Sequence, residues 1–306
     1  MTVAQRVTPW DPAAKRRLVT ADGTALHVRD SGAGQVTLVL AHGWTLDHTS
    51  WDEVVAALPD VRIVRYDHRG HGGSAPAPAG TATIAQVADD LAELIADRVP
   101  EGPIVLVGHS MGGMAAMALA ERQPRLFADR IAAVGLVATS CGGLADLTLG
   151  LPRWLARRVI TVERRLGRRV ARSRRPTLMI KTGAARPGVR WLLFGRGARQ
   201  ADVAVTAAQI GRCHPASMVG FRASLDEHDR RAALAAFRRI PVTVLAGGAD
   251  RLTDVSHARA IAAELPNARL AVYPGAGHML PYERAADVAA HLTTLIDRVG
   301  GTSAVL

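Results

Sequence analysis

Cysteine is scarce in this sequence of 306 residues, and so are the aromatic residues, which make up 4% of it. The two cysteines, Cys141 and Cys213, lie far apart and match no metal-binding or redox spacing. Because such spacings are missing, we expect free thiols in a reducing compartment, without a disulfide and without a zinc site.

Long apolar runs are also lacking. Residues 1–19 contain no continuous apolar segment of the kind that directs secretion, so we expect a cytoplasmic protein. The stretch IVLVGHSMGGMAAMALA at residues 104–120 has no acidic or basic residue. Its centre is polar, however, and a bilayer crossing needs roughly 20 mostly apolar residues. We therefore expect no transmembrane segment.

Positive charge is present in excess but is confined to one part of the chain. The net charge is +11, and residues 144–239 alone contain 21 Lys or Arg against 6 Asp or Glu. Almost all of these basic residues are arginine. No nucleic-acid-binding motif accompanies them, so we do not expect a nucleic-acid partner.

Apolar side chains, by contrast, are abundant and make up 48% of the residues, which is enough for a large core. Short strand-like runs alternate with helical stretches over residues 16–140 and again over 239–306. The apolar run within residues 36–43 is typical of a strand buried on both faces of a parallel sheet. This alternation predicts an α/β fold with a doubly wound, mostly parallel sheet of about eight strands.

The alternation stops between residues 141 and 238, where an arginine-rich helical segment replaces it. We interpret residues 141–238 as a helical cap inserted into a core formed by residues 1–140 and 239–306. Apolar residues recur there at helical spacing: Leu151, Leu155, Val159, Val162, Leu166 and Val170. Either this stripe packs on the domain below, or the basic helix makes peripheral contact with anionic lipid or screens an acidic substrate. Periodicity does not decide between these interpretations.

The sequence GHSMGG at residues 108–113 lies between a predicted strand and a predicted helix. A G-x-S-x-G motif in that context indicates a tight turn that exposes a nucleophile, here Ser110. A serine needs a base and an orienting acid. His278, in a glycine-rich loop after the last strand, is the predicted base, and Asp250, at the exit of the preceding strand, is the predicted acid. Asp254 is the alternative acid.

Acyl transfer also needs two amide donors for the oxyanion. We predict the backbone N–H of Met111, which follows the nucleophile, and that of Trp44, in the loop after the third strand. His42, Gly43 and His109 are expected to line the substrate site. His109 itself is not the expected base, because adjacent side chains on a sharp turn point apart.

These motifs resemble those of the α/β-hydrolase superfamily, in the capped branch that includes carboxylesterases, lactonases and cofactor-free haloperoxidases or perhydrolases. The resemblance covers most of residues 36–290 but not the cap. Its carriers are His42-Gly43-Trp44, YDHRGHGGS at residues 66–74, GHSMGG at 108–113, GGAD ending at Asp250 and GAGHMLPYE around His278. In such proteins the DHRGHGGS segment is a structural loop, which implies that Asp67 and Arg69 brace it. Epoxide hydrolases and haloalkane dehalogenases carry a carboxylate where this chain has Ser110.

The resemblance implies a serine hydrolase that cleaves a small carboxylic ester or lactone, without metal or organic cofactor. The sequence leaves the oligomeric state and the acyl and alcohol groups open. The alternatives are perhydrolysis, in which peroxide intercepts the same acyl-enzyme, lyase chemistry on the same triad, and a ligand-binding protein that does not hydrolyse its ligand.

Overall fold

Eight short strands form one continuous sheet in the computed structural model, which describes residues 16–172, 177–178 and 182–303. The strands are β1 (Arg17–Val19), β2 (Ala25–Ser31), β3 (Thr37–Ala41), β4 (Arg62–Tyr66), β5 (Ile104–His109), β6 (Ile131–Val137), β7 (Val242–Gly247) and β8 (Arg269–Tyr273). Their order is β1-β2-β4-β3-β5-β6-β7-β8. Strands β3 to β8 are parallel, and β1 and β2 are antiparallel to their neighbours. This confirms the predicted mostly parallel sheet.

Helices cover both faces of the sheet. They are α1 (Asp52–Ala56), α2 (Ile84–Arg98), α3 (Met111–Arg122), α4 (Pro124–Arg130), α5 (Arg153–Ala171), α6 (Thr182–Leu193), α7 (Gln200–Arg212), α8 (Pro215–Asp226), α9 (Val255–Glu264), α10 (Leu280–Glu283) and α11 (Ala285–Ser303). Helices α2, α3 and α9 bury their apolar residues against one face of the sheet. Helices α1 and α11 pack on the other face. The central strands are therefore enclosed on both sides, as their continuous apolar runs predict.

Among the described residues between β6 and β7 there are helices but no strands, and these helices include α5 to α8. Helices α6 and α7 pack on the core through a third apolar cluster, which includes Val189, Leu193, Val203, Leu46 and Met279. The last two residues lie in loops that follow β3 and β8. The helical segment therefore rests on loops at the carboxyl edge of the sheet.

The apolar stripe of helix α5 is more exposed than one of its two interpretations predicts. None of the six stripe residues is buried, and Val159, Val162 and Leu166 are exposed. The helix instead packs on α8 through a different face, which carries the small residues Ala156 and Gly167. Leu151, Leu155 and Val170 are half-buried. The interpretation in which the whole stripe is buried on the domain below therefore does not hold.

No described helix has both the length and the hydropathy needed to cross a bilayer. The N-terminal stretch used to judge secretion falls mostly in residues 1–15, outside the described residues. Cys141 and Cys213 are both buried free thiols.

The loop after β4 is held by buried charges. Asp67 accepts hydrogen bonds from the backbone N–H groups of His48 and Gly73, both at 2.7 Å. The Arg69 side chain has no exposed surface, and its Nε donates to Asp90 in α2 at 2.7 Å. Because both residues brace this loop, the structure agrees with the structural role that the resemblance implies for them.

Histidine rings connect the loops after β3 and β4. The backbone N–H of His68 donates to Nε2 of His42 at 2.9 Å, and the ring Nε2 of His68 donates to the carbonyl of His42 at 2.9 Å. Burial lowers the pKa of His68 to about 3 and that of His42 well below its usual value. Burial likewise lowers the pKa of His109 to about 3 and those of His71 and His228 to about 4. These rings are therefore neutral at physiological pH.

We expect the neighbouring acids Asp90 and Asp89 in α2 to differ sharply in their contribution to stability. Asp90→Ala leaves the buried guanidinium of Arg69 with Asp22 as its remaining ionic partner, which should lower the free energy of unfolding by about 3 kcal/mol. Asp89 pairs with Arg122 at the surface, so Asp89→Ala should cost less than about 1 kcal/mol. Urea denaturation of the two variants measures both values. Equal effects would contradict the structural role of Arg69.

We also expect stability to fall as the pH falls from about 6.5 towards about 4. In this window the unfolded chain protonates its histidines while the buried rings stay neutral, so protons favour the unfolded state. Each such ring should lower the free energy of unfolding by about 1.4 kcal/mol for each pH unit in this window. Urea denaturation at several pH values gives the slope of the free energy of unfolding against pH. His228→Gln should reduce this slope by about 1.4 kcal/mol per pH unit, which corresponds to one proton. A free energy of unfolding that is constant between pH 7 and pH 5 would contradict this account.

Candidate active site

Ser110 lies in the turn between β5 and α3, in a backbone conformation that a residue with a side chain rarely adopts. Its φ is 51° and its ψ is −117°. The turn is held from both sides: the N–H of Ser110 donates to the carbonyl of Val137 at 2.9 Å, and the hydroxyl of Thr139 donates to the carbonyl of Ser110 at 2.7 Å. Strained residues of this kind persist only where their surroundings determine the conformation.

The glycines on either side leave no space for side chains. A Cβ at Gly108 would lie 2.3 Å from the backbone of Gly112, and one at Gly112 would lie 2.3 Å from the carbonyl oxygen of Ala41 in β3. The turn is thus pressed against the neighbouring strand. This close approach explains why the motif has glycine two residues before and two residues after Ser110.

Asp250 and His278 form a buried pair at the ends of adjacent strands. Nδ1 of His278 lies 2.8 Å from Oδ2 of Asp250, and the two side chains are 5% and 0% exposed. The other carboxylate oxygen accepts hydrogen bonds from the backbone N–H groups of Leu252 at 2.8 Å and Thr253 at 3.0 Å. Burial opposes the ionisation of Asp250. The imidazole and these N–H donors outweigh it and lower the pKa of the carboxyl.

The order of the strands brings the loop of His278 to the turn of Ser110. Ring Nε2 of His109, the residue before Ser110, donates to the backbone carbonyl of His278 at 2.9 Å. The centres of these two imidazole rings are 5.0 Å apart. Because Nδ1 of His278 is engaged by Asp250, Nε2 is the ring nitrogen that is left for a second partner. Asp254, the alternative acid, instead caps the N-terminus of α9.

The two predicted oxyanion donors lie on neighbouring elements. Met111 is the first residue of α3, and Trp44 is in the loop after β3, the strand that pairs with β5. Among the described residues neither backbone N–H has a hydrogen-bond acceptor. The indole Nε1 of Trp44 donates to the carbonyl of Met218 in α8 at 3.2 Å. Neither amide is therefore committed to an acceptor among the described residues, and their role as oxyanion donors stays a prediction.

His42, Gly43 and His109, which are predicted to line the substrate site, are all buried, and their part in binding stays a prediction. The His42 and His109 side chains have no exposed surface. Nδ1 of His42 donates to the carbonyl of Gly43 at 2.7 Å, and the ring of His109 packs directly against Gly43. Nε2 of His109 is bonded to a backbone carbonyl, whereas its Nδ1 has no partner among the described residues. The two rings therefore connect loops through backbone atoms.

Glu283 is a half-buried carboxylate that the sequence motifs do not identify as functional. It accepts hydrogen bonds from the backbone N–H of Gly277 at 2.9 Å and from that of Gly195, after α6, at 2.8 Å. The backbone N–H of His278 donates to the carbonyl of Leu193 at 2.8 Å. Burial raises the pKa of Glu283. The loop of His278 is thus bound to the helical segment on both sides of the imidazole.

A second polar connection joins the same parts of the molecule. Asp47, after β3, accepts a hydrogen bond from the side chain of Gln209 in α7 at 2.8 Å. Gln209 in turn accepts a hydrogen bond from the hydroxyl of Tyr282 at 3.2 Å. All three side chains are buried. The only sequence signal for this network is a few polar residues in otherwise apolar surroundings.

One group of possible metal ligands occurs among the described residues. Ligand atoms of His27, His48 and Asp67 all lie within 4.8 Å of one another. Nδ1 of His48 lies 2.7 Å from Oδ1 of Asp67. A hydrogen bond between these two side chains is therefore enough to explain why they lie close together.

A family model described as the alpha/beta hydrolase family matches residues 38–291 of the chain. Among curated proteins, the pimeloyl-(acyl-carrier protein) methyl ester esterase of Aromatoleum aromaticum is 30% identical over 248 residues, which cover 79% of this chain and 90% of that protein. A protein of Mycobacterium tuberculosis named probable oxidoreductase EphD is 36% identical over 109 residues. That match covers 35% of this chain and spans only 18% of the length of the mycobacterial protein.

The chain is also similar to solved structures of an esterase and a lactonase. A thermophilic esterase from Thermogutta terrifontis has a TM-score of 0.74 and 26% identity, covering 92% of this chain and 98% of its own. The enol-lactonase from Burkholderia xenovorans has a TM-score of 0.73 and 25% identity, covering 92% and 99%. Since the family model spans most of the sequence and the sheet has the matching topology, the chain belongs to the α/β-hydrolase family.

Proposed function

We propose that this protein is a serine hydrolase that cleaves a small carboxylic ester or lactone through an acyl-enzyme. The observation that carries the proposal is the buried pair of Asp250 and His278. The loop of His278 also contacts the turn of Ser110. The similarity to esterases and to an enol-lactonase supports an ester-cleaving role. Esters and lactones present the same carbonyl to a nucleophile, so the proposal includes both.

In the proposed reaction, the hydroxyl of Ser110 attacks the carbonyl carbon while Nε2 of His278 takes its proton. The lowered pKa of Asp250 keeps this carboxylate ionised. It therefore holds Nδ1–H of the imidazole and stabilises the imidazolium. Its hydrogen bonds to backbone N–H groups keep it in the orientation that this role needs.

The negative charge that develops on the carbonyl oxygen is received by the backbone N–H groups of Trp44 and Met111. Fixed amide donors act strongly here because they need no reorganisation when the charge forms. His278 then returns its proton to the leaving alcohol. Water attacks the acyl-enzyme by the same route, which restores Ser110 and releases the acid. The scheme needs neither a metal nor an organic cofactor.

We further propose that residues 141–238 act as a cap over this site. Helices α6 to α8 contact loops that carry proposed catalytic groups: Leu193 contacts His278, and Met218 contacts Trp44. A small-molecule substrate would then be selected by side chains of the cap as well as by the sheet edge.

Ser110→Ala should lower kcat/KM for a p-nitrophenyl ester by about 10⁴- to 10⁶-fold, because no other group in the scheme supplies the nucleophile. The matched control is Ser256→Ala, which removes an exposed hydroxyl near the start of α9 and should leave the rate unchanged. Circular dichroism checks that both variants are folded. A folded Ser110→Ala protein with the wild-type rate would refute the proposal.

A further inference from the structure

Helix α5 exposes a row of apolar side chains to solvent. Val159, Val162 and Leu166, here called the α5 stripe, are 40%, 54% and 53% exposed. Spacings of three and four residues place them on one side of the helix, over a length of about 10 Å. Trp154, in the first turn, is 64% exposed. Exposed apolar residues that cluster in this way mark interaction sites more often than scattered ones do.

The α5 stripe is not needed to hold α5 in place. The helix is anchored to α8 on a different side, where Arg164 pairs with Asp226 at 2.7 Å and Glu163 pairs with Arg222 at 3.3 Å. Gly167 makes close contact with Val219. Among the described residues, the packing of α5 therefore does not use the stripe.

Arginines flank the α5 stripe on its solvent side. Arg158, Arg165 and Arg169 are exposed and lie next to the stripe at helical spacing. Among the side chains that the structure describes, no carboxylate lies within ion-pair distance of these three, and Arg164 is paired with Asp226. The surface thus combines an apolar row with several available guanidinium groups.

We propose that α5 lies on the surface of an anionic lipid bilayer. The α5 stripe would enter the boundary between headgroups and acyl chains, while the arginines bind lipid phosphates. Two other occupants fit less well. Nucleic acid would engage the arginines and leave the stripe in water, and a second copy of the chain would bring two arginine-rich helices together. The inference is independent of the proposed function, since lipid binding needs no group of the active site.

Sedimentation with phosphatidylcholine vesicles, with and without phosphatidylglycerol, tests the proposal. The wild-type protein should bind the anionic vesicles, and added salt should weaken the binding. Val162→Glu/Leu166→Glu should reduce binding at least about tenfold, because charged side chains do not enter the interface. The matched control, Val19→Glu/Val205→Glu, makes the same change at two valines that are 65% and 45% exposed elsewhere. It should bind nearly as the wild type does.

A second pair of variants separates the position of the charge from its amount. Arg165→Gln/Arg169→Gln should reduce binding about 30-fold at low salt, since each basic residue near an anionic surface contributes roughly a factor of five. Arg186→Gln/Arg239→Gln removes the same charge from exposed positions outside α5 and should have a much smaller effect. Hydrolysis of a soluble p-nitrophenyl ester should be unchanged in all four variants.

Three results would overturn the proposal. The first is wild-type protein that does not sediment with anionic vesicles. The second is equal loss of binding in the α5 variants and their controls, which would assign the effect to net charge alone. The third is a dimer that dissociates in Val162→Glu/Leu166→Glu without vesicle binding, which would assign the stripe to a second copy. Ser110→Ala should bind vesicles as the wild type does, so a failed hydrolase proposal would leave this test intact.

Discussion

The structure depends on one steric constraint: the turn at Ser110 is so tight, and lies so close to β3, that only glycine fits two residues before Ser110 and two residues after it. A Cβ at Gly108 or Gly112 would lie within 2.3 Å of backbone atoms. This crowding holds Ser110 at a positive φ and places its side chain in the turn between strand and helix. It also brings the first amide of α3 next to the loop after β3, so the proposed nucleophile and both proposed oxyanion donors derive their positions from the same close packing.

The loop of His278 is held by contacts from three directions. Asp250 fixes the ring, His109 binds the backbone carbonyl, and Leu193 and Glu283 join the loop to the helical segment. The proposed base and the proposed cap are therefore parts of one hydrogen-bonded unit. One of these connections joins two backbone groups, the N–H of His278 and the carbonyl of Leu193.

Much of this arrangement is predictable from the sequence, because it follows from local rules. The strands follow from apolar runs, the turn from the spacing of Gly108, Ser110 and Gly112, and the proximity of Asp250 and His278 from their places after adjacent strands. The roles of Glu283 and His109 are not predictable in this way, because they depend on which backbone atoms lie opposite them in the folded chain. The same limit applies to α5: periodicity reveals an apolar stripe, but the side that packs is decided by small residues and ion pairs that face α8.

The proposed reaction requires that Ser110 be a nucleophile activated by His278. Labelling of the folded protein with a fluorophosphonate probe, followed by mass spectrometry of its peptides, is the decisive test. We expect one covalent adduct, on Ser110, which forms far more slowly in His278→Gln. A folded protein that is not labelled, or one that carries the adduct on another residue, would contradict it.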